Sequence, residues 1–372
     1  MAVGLPLKTT YANGDVYSAS DVNDTNGTIN AYVTTGPAAG VNKVMNGDFF
    51  INQRNFTSVT TDGSFTFDRW KILLGGAGTL TATPQTFTPG AAPVAGYEAR
   101  NFIQLVTAST SGTSDYKIFN QPIEDVRTFA GQTATLSFWA KAGSGTPKMA
   151  LELVQNFGTG GSPSANVNTY GGQVTLSTSW ARYSVTVAIP SISGKTIGTT
   201  ANTSSLLTQF WLSAGSDFNS RTGSLGLQNA TFQIWGVQLE IGSTATAFQT
   251  ATGTIQGELA ACQRYYFRLQ SSGSYEYVGN GTANDTSGSD IVFFSQVPMR
   301  VIPTSVEFSG LQQQQYGGQT LRAITAVTVS GVSGKVNPVG STTVASGLVA
   351  GTYYRILTNN VSTSYIGFSA EL

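Results

Sequence analysis

The chain has 372 residues, of which 10% are charged, and its formal net charge is +0. This balance gives no electrostatic basis for binding nucleic acid or an anionic membrane surface. With 0 histidines and 1 cysteine, the sequence excludes a histidine-dependent triad, a histidine-bound zinc site and an internal disulfide. It has no run of about 20 apolar residues for a membrane helix and no apolar signal-peptide core at its start. We therefore expect assembly in a cytoplasm, without membrane insertion.

The first 43 residues predict a turn followed by one short helix. Asn13-Gly14 favours a turn because both residues tolerate a positive φ. Ser20 suits the N-cap of a helix over residues 20–33. Its apolar face contains Val22, Ile29 and Tyr32. A lone helix of this length is marginal in water. It therefore either packs on the next domain as a surface helix or serves as a trimer-forming and docking segment.

Residues 44–250 show the alternation of apolar and polar residues that is typical of β-strands. The pattern has a period of two over residues 135–140, 183–189 and 234–239. Short alternating strands separated by turns rich in Gly, Ser and Thr predict a β-sandwich. Residues 251–262 predict a helical connector, because their apolar residues recur at helical spacing.

Residues 263–372 return to aromatic, alternating strands and predict a second β-domain, which we expect to be a β-sandwich. Its length of roughly a hundred residues is typical of a domain. The whole chain is thus predicted to be all-β, with a short helical segment at the start.

Several motifs occur in a fixed order along the chain: Asn46-Gly47-Asp48-Phe49, Ile51-Asn52-Gln53-Arg54, Asp68-Arg69-Trp70, Trp235-Gly236-Val237-Gln238-Leu239-Glu240, and Cys262-Gln263-Arg264-Tyr265-Tyr266. The ordered set resembles a family of bacteriophage fibre and tail proteins that carry a carbohydrate-binding-module-like jelly roll. The turn at Asn13-Gly14 also resembles the start of many phage fibres.

The resemblance implies jelly-roll topology for residues 44–250 and a phage-tail type of β-domain at the C-terminus. It also implies a homotrimer in a virion, assembled in the host bacterial cytoplasm and attached to other virion proteins through residues 1–43. The function that it implies is adhesion to a host-surface glycan. The alternatives are a purely structural fibre that decorates a capsid or collar, and, least favoured, a polysaccharide-degrading enzyme.

Catalysis by paired carboxylates would need two acids about 5 to 9 Å apart across a sugar. The candidate acids in the middle domain are Asp48, Asp68, Glu124, Asp125, Glu152 and Glu240. For Asp68, Arg69 and Trp70 we expect a structural role. The two charged residues would form a bidentate pair or a strand-end cap, and Trp70 would pack in the core. Members of the resembled family that degrade polysaccharide do so with long β-helices, which this sequence does not contain. We therefore expect no enzyme activity.

A structural calcium ion is implied in related carbohydrate-binding modules by one acid after the opening motif and one in the last strand. Here Phe50 and Gly236 stand at those positions. Only Asp48 and Glu240 remain as candidate ligands, whereas calcium prefers six to eight oxygens. We expect no cofactor, with calcium left open.

Aromatic residues are the main candidates for glycan contact, because sugar rings stack on them while polar side chains bind the hydroxyl groups. The tryptophans of the middle domain are expected in the core, and Tyr170 in a loop. Two further loops, 271–289 and 310–320, are predicted either to bind a neutral sugar or to be solvated turns. Their candidate residues are Tyr275, Tyr277, Asn280, Asn284, Asp285, Gln313 and Tyr316.

Overall fold

The computed structural model describes residues 41–94, 97–108, 111–359 and 363–372. The predicted N-terminal helix, with Val22, Ile29 and Tyr32, lies outside these residues. Among the helices of the described ranges, none is long and apolar enough to cross a membrane. The structure is almost entirely antiparallel β-sheet, which confirms the predicted fold class.

The middle of the chain forms two five-stranded antiparallel sheets, whose strands are numbered in chain order. The first sheet contains, side by side, β1 (Lys71–Gly75), β4 (Tyr116–Glu124), β9 (Ser205–Ala214), β6 (Lys148–Asn156) and β7 (Val167–Thr175). The second contains β2 (Thr79–Thr86), β3 (Asn101–Ala108), β10 (Ala230–Ile241), β5 (Thr133–Ala142) and β8 (Ala181–Ala188). The chain crosses repeatedly from one sheet to the other, as in a jelly roll.

The core of this sandwich is aromatic. Trp70 stacks on Phe119 with ring centroids 4.6 Å apart and an interplanar angle of 10°. Phe210 packs edge-on against Phe138 at 5.0 Å. Trp70 and Trp235 are both fully buried, as expected for strand tryptophans. Burial of these rings supplies the main driving force for folding of the sandwich.

A short insertion covers part of the outer face of the first sheet. It contains a 3-10 helix (Ser216–Phe218) and α1 (Asn219–Thr222). Glu152 on β6 holds it in place, because Arg221 donates to both oxygens of this buried carboxylate at 2.8 Å. Trp211 beneath the insertion is consequently buried, and its indole N–H donates to the same carboxylate.

The connector is a helix, as predicted. α2 spans Ile255–Gln263, and the side chain of Thr254 caps it by accepting from the Gly257 backbone N–H at 3.1 Å. The division of the chain into domains at 1–43, 44–250, 251–262 and 263–372 stays a prediction.

The C-terminal strands form a closed barrel and a small sheet, where a sandwich was expected. The barrel contains, in spatial order, β12 (Tyr277–Ala283), β13 (Gly288–Phe293), β17 (Val339–Val344), β16 (Leu321–Val329), β15 (Leu311–Gln315) and β18 (Tyr353–Thr358). The sheet contains β11 (Tyr266–Gln270), β19 (Tyr365–Ser369) and β14 (Ser305–Ser309). Alternation with period two is the same in a barrel and in a sandwich, so it could not distinguish them.

Close approach of strands inside the barrel depends on glycine. A Cβ atom on Gly281 would lie 1.8 Å from the carbonyl oxygen of Asp290 on the adjacent strand β13. Phe293 fills the barrel interior and contacts Phe368 of the small sheet with centroids 5.3 Å apart. The barrel and the small sheet therefore share one core.

The motif residues meet where the sandwich contacts the C-terminal strands, and we call Asn46, Asp68, Arg69, Tyr265 and Glu371 the joint. The side-chain amide of Asn46 donates to the carbonyl and accepts from the N–H of Ile51. The backbone N–H of Asn46 donates to the Glu258 carboxylate of α2 at 2.8 Å. Asp68 accepts from the backbone and side chain of Gln53, whose amide also donates to the Tyr266 carbonyl at 2.8 Å.

Arg69 carries the central ion pair of the joint. Its guanidinium pairs with Glu371, donates to the Pro122 carbonyl at 2.6 Å, and lies 3.5 Å from the centre of the Tyr265 ring. The expected pair between Asp68 and Arg69 is therefore wrong, since Asp68 binds Gln53. The true partner of Arg69 is 302 positions away, which no local pattern reveals. The expectation that Trp70 packs in the core is confirmed.

The joint makes a stability prediction. Replacing Glu371 with Gln leaves the Arg69 guanidinium buried without its carboxylate, since Arg69 is 1% exposed. Loss of one partner of a buried pair costs about 3 to 5 kcal/mol. We expect Glu371→Gln to lower the free energy of unfolding by this amount in urea denaturation.

The matched control is Asp125→Asn, the same chemical change in the solvent-exposed pair Asp125–Arg127. Exposed pairs contribute about 0 to 1 kcal/mol. Equal, small losses for Glu371→Gln and Asp125→Asn would show that the joint does not depend on the Arg69 ion pair.

Candidate functional site

Exposed aromatic side chains are concentrated on the C-terminal barrel. In the sandwich, Trp70, Trp211 and Trp235 are each at most 1% exposed, so none offers a free face for stacking. By contrast, Tyr316 is 73% exposed and Tyr277 is 50% exposed. The other exposed aromatic residues of the C-terminal strands are Tyr275, Phe294 and Tyr353. Trp139 and Trp180, also expected in the core, are half-buried at its edge. The exposed aromatic side chains expected of a glycan site therefore lie mainly on the barrel.

Three adjacent strands, β12, β18 and β15, build one continuous outer surface. Tyr354 and Ile356 point into the barrel and are fully buried, so the alternating residues Tyr353 and Arg355 point outward. Arg355 lies directly opposite Asn280 of β12 and Gln314 of β15. We call Tyr277, Asn280, Tyr316, Tyr353 and Arg355 the tyrosine face.

Contacts between side chains hold the tyrosine face together. The Asn280 amide donates to the Tyr277 hydroxyl, which lies near the hydroxyl of Tyr353. The rings of Tyr316 and Tyr353 lie edge to face with centroids 6.4 Å apart. Desolvation is the largest cause that raises the pKa of the Tyr353 hydroxyl, and the neighbouring hydroxyls of Tyr277 and Tyr316 are smaller causes. Three phenol rings therefore lie together on this face, beside the polar side chains of Asn280 and Arg355.

A cleft of about 350 Å³ adjoins this face. Tyr277 lines both, so the cleft and the tyrosine face form one surface. Phe294 supplies a second aromatic wall, and Arg268, Gln270 and Glu276 supply polar groups. The carboxylate of Glu276 accepts from Ser272, and these hydrogen bonds hold the pKa of that carboxyl below its usual range.

The structure unites only some of the residues that the sequence suggested. Tyr277, Asn280 and Tyr316 belong to the tyrosine face. Tyr275 is exposed in the turn before β12, where it has a φ of 54°. Asp285 lies in the turn between β12 and β13 and accepts from the Ser287 and Gly288 amides, which lower the pKa of its carboxyl.

Gln313 was a wrong candidate. It lies on β15, is fully buried, and donates to the Ser289 hydroxyl at 2.6 Å inside the barrel. The predicted loops 271–289 and 310–320 contain strands β12 and β15. The polar run over residues 312–315 resembled a loop because its side chains are amides, but barrel closure buries part of that run and satisfies Gln313 with hydroxyl partners.

Tyr170 also lies on a strand, β7, where a loop was expected. It is opposite Glu152 on the outer face of the sandwich, and its hydroxyl contacts Gly223 of the insertion. Burial against this insertion raises the pKa of Tyr170. It lies on the sandwich, whereas the tyrosine face is built on strands of the barrel.

Tyr353 and Arg355 were missed by sequence reasoning. Both fall in the stretch of alternating strands predicted over residues 263–372, and the alternation with the apolar residues Tyr354 and Ile356 could have placed them on an outer face. What the sequence does not show is that β18 pairs with β12, a strand more than 70 residues earlier. Barrel closure is therefore the feature that creates the site.

The carboxylates of the sandwich are engaged within the protein. Glu124 pairs with Arg264, and Asp125 pairs with Arg127, in a polar cleft of about 500 Å³ that has no aromatic wall. Glu240 accepts from the backbone N–H of Thr246 at 2.9 Å and from its hydroxyl at 2.6 Å. Each of these acids therefore has a structural partner.

Asp48, the other candidate calcium ligand, lies in a small cavity of about 90 Å³ beside Glu258 and Tyr97. Burial, with repulsion from Glu258 as the next cause, raises the pKa of Asp48 to about 6. Among the residues described, no group of three or more Asp, Glu, His or Cys residues is placed to hold a metal ion. The calcium site stays a prediction.

Comparisons with known proteins were made for the whole chain. No family model matches the sequence, and no curated protein matches it. Among solved structures, the enzymatically active domain of tailspike protein 4 from bacteriophage CBA120 is similar over 54% of this chain, with 15% identity and a TM-score of 0.32. This chain spans only 22% of that tailspike chain.

Two further solved structures are similar to about half of this chain. A putative sugar binding protein from Bacteroides thetaiotaomicron matches 54% of this chain and 100% of its own, with 12% identity and a TM-score of 0.34. A family 11 carbohydrate-binding module from Clostridium thermocellum matches 51% and 98%, with 9% identity and a TM-score of 0.30. Matches at these scores carry no conclusion about a ligand of this chain.

The raised pKa of Asp48 predicts a pH-dependent stability. Its carboxyl has a pKa of about 6 in the folded protein and an ordinary value of 3.8. The folded state therefore binds the proton more tightly, and this group makes the protein less stable as pH rises from about 4 to 6. We expect Asp48→Asn to stabilise the protein at pH 8 by about 1 to 3 kcal/mol relative to its effect at pH 4.

Urea denaturation of both proteins at a series of pH values checks this expectation. The difference in unfolding free energy between Asp48→Asn and the natural protein should grow between pH 4 and 6 and then level off. A difference that is the same at all pH values would mean that Asp48 titrates normally.

Proposed function

We propose that this protein is a bacteriophage fibre or tail protein that adheres to a host-surface glycan through the tyrosine face. The observation that carries the proposal is the grouping of Tyr277, Tyr316 and Tyr353 beside Asn280 and Arg355 on the outer surface of a closed barrel. Flat aromatic faces orient a sugar ring, and the neighbouring amide and guanidinium groups bind its hydroxyls.

The rigidity of the barrel supports a binding role. The strands that carry the face are paired on both sides, and their inner residues, such as Tyr354 and Ile356, are fully buried. A surface on a rigid scaffold loses little conformational freedom when a ligand binds. The adjoining cleft beside Tyr277 extends the surface, so that the ligand would be a chain of sugars.

The virion assignment rests on the ordered motifs of the sequence, which resemble those of phage fibres. The same motifs supply the joint, so their role would be to fix the orientation of the barrel relative to the sandwich. We propose that residues 1–43 attach the protein to other virion proteins as a homotrimer. Three copies of a weak site would bind a cell surface much more strongly than one.

Removing two rings of the tyrosine face tests the glycan role. We expect the double variant Tyr316→Ala, Tyr353→Ala to lose most binding to host cells, because each stacked ring contributes about 1 kcal/mol beyond its buried area. Binding of fluorescently labelled protein to cells measures the effect. Tyr170→Ala, which removes an exposed tyrosine from the sandwich, is the matched control.

Normal cell binding by the double variant would place the receptor site elsewhere on the protein. No binding by the unchanged protein, to cells or to a glycan array, would favour a purely structural decoration fibre. We also propose that the protein is not a catalyst and binds without a metal. Release of reducing sugar from bacterial polysaccharide, or loss of binding in EDTA, would contradict these two statements.

A further inference from the structure

Arg355 occupies the middle of the tyrosine face, and its hydrogen-bond partner is a neutral side chain. Its Nε donates to the Gln314 side-chain oxygen at 2.8 Å, and Nη2 donates to the same atom. Gln314 is neutral. Within residues 41–94, 97–108, 111–359 and 363–372, no carboxylate forms an ion pair with Arg355. The described residues therefore supply no carboxylate partner for this guanidinium.

The acids nearest along these strands are committed to other groups. Asp290 on β13 accepts from the Ser341 hydroxyl at 2.7 Å and from the Asn284 amide at 3.2 Å. Glu276, before β12, accepts from Ser272. Neither forms an ion pair with Arg355, so the single charged member of the tyrosine face lies among aromatic rings without a carboxylate partner.

Gln314 also fixes the guanidinium in place. By accepting from Nε and Nη2, it holds one edge of the planar group against the barrel wall. The N–H groups on Nη1 and the second N–H of Nη2 remain on the opposite edge. Two parallel N–H groups of this kind match the two oxygens of a carboxylate.

We infer that the ligand of the tyrosine face is an acidic glycan, whose sugar carboxylate binds Arg355 while its rings stack on the tyrosines. This inference rests on the proposed function and narrows its ligand class. It replaces the neutral sugar that the sequence suggested, because Arg355 was not then among the candidate residues. The flanking Asn280 would bind a hydroxyl of the same sugar, since it lies directly opposite Arg355.

The experiment uses purified bacterial surface polysaccharides that contain uronic acid, immobilised in two forms. One form is native, and in the other the carboxyl groups are reduced to primary alcohols. Binding of the full-length protein is measured by biolayer interferometry. We expect binding to native polysaccharides that falls by about 10- to 100-fold after reduction, the effect of losing hydrogen bonds to a charged group. Added salt should weaken only the native interaction.

Variants identify the residue responsible. Arg355→Gln should bind the native form as weakly as the natural protein binds the reduced form. Arg355→Lys, which keeps the charge but not the paired N–H groups, should be intermediate. Arg127→Gln removes the same charge from the exposed surface of the sandwich and should bind normally. Thermal melting of each variant shows whether the barrel is intact.

The outcomes separate this inference from the proposed function. Equal binding to native and reduced polysaccharides, lost on Tyr316→Ala, Tyr353→Ala, would overturn the acidic ligand and keep glycan adhesion. Sensitivity to reduction without any effect of Arg355→Gln would place the carboxylate elsewhere and also overturn the inference. No binding to either form across the panel would overturn the proposed function, and the inference with it.

Discussion

The buried ion pair between Arg69 and Glu371 is the interaction on which the arrangement of the two β-rich halves depends. It connects the turn before β1 to the residues after β19, with the Tyr265 ring beneath the guanidinium. A charge in this position is costly to desolvate unless its partner and its hydrogen bonds are in place. The pair therefore forms only when the C-terminal strands sit correctly on the sandwich, which makes the contact specific as well as stable.

The two halves use their aromatic residues in opposite ways. In the sandwich, rings such as Trp70 and Phe119 stack on each other and fill the space between sheets. In the barrel, the interior is filled by Phe293, Tyr354 and aliphatic side chains, while Tyr277, Tyr316 and Tyr353 remain outside. A small barrel has too little interior volume to take up these additional rings. These three rings therefore stay on the surface, where they can contact a ligand.

The sequence predicted the parts of this structure that depend on local order. Strand alternation predicted the all-β class, and the helical spacing of apolar residues predicted α2. The sequence correctly placed Trp70 of the Asp68-Arg69-Trp70 motif in the core. It did not reveal the partners of the two charged residues, because Gln53 and Glu371 lie 15 and 302 positions away along the chain. For the candidate site, Tyr277, Asn280 and Tyr316 were found from composition. Tyr353 and Arg355 could not be predicted without knowing that β18 pairs with β12. The prediction for Gln313 was wrong because a polar side chain can be buried when hydroxyl partners surround it.

The low charge content of the chain gives each uncompensated charge unusual weight. Most guanidinium groups serve the fold: Arg69 and Arg54 pair with Glu371, and Arg264 pairs with Glu124. Others lie on rings, as Arg268 does on Tyr365 at 3.4 Å. The guanidinium of Arg355 is held by a neutral amide and lies among exposed tyrosines, where a ligand can reach it. An interaction that orients a charged group but leaves the charge unmatched is the arrangement expected where the matching charge arrives with a ligand.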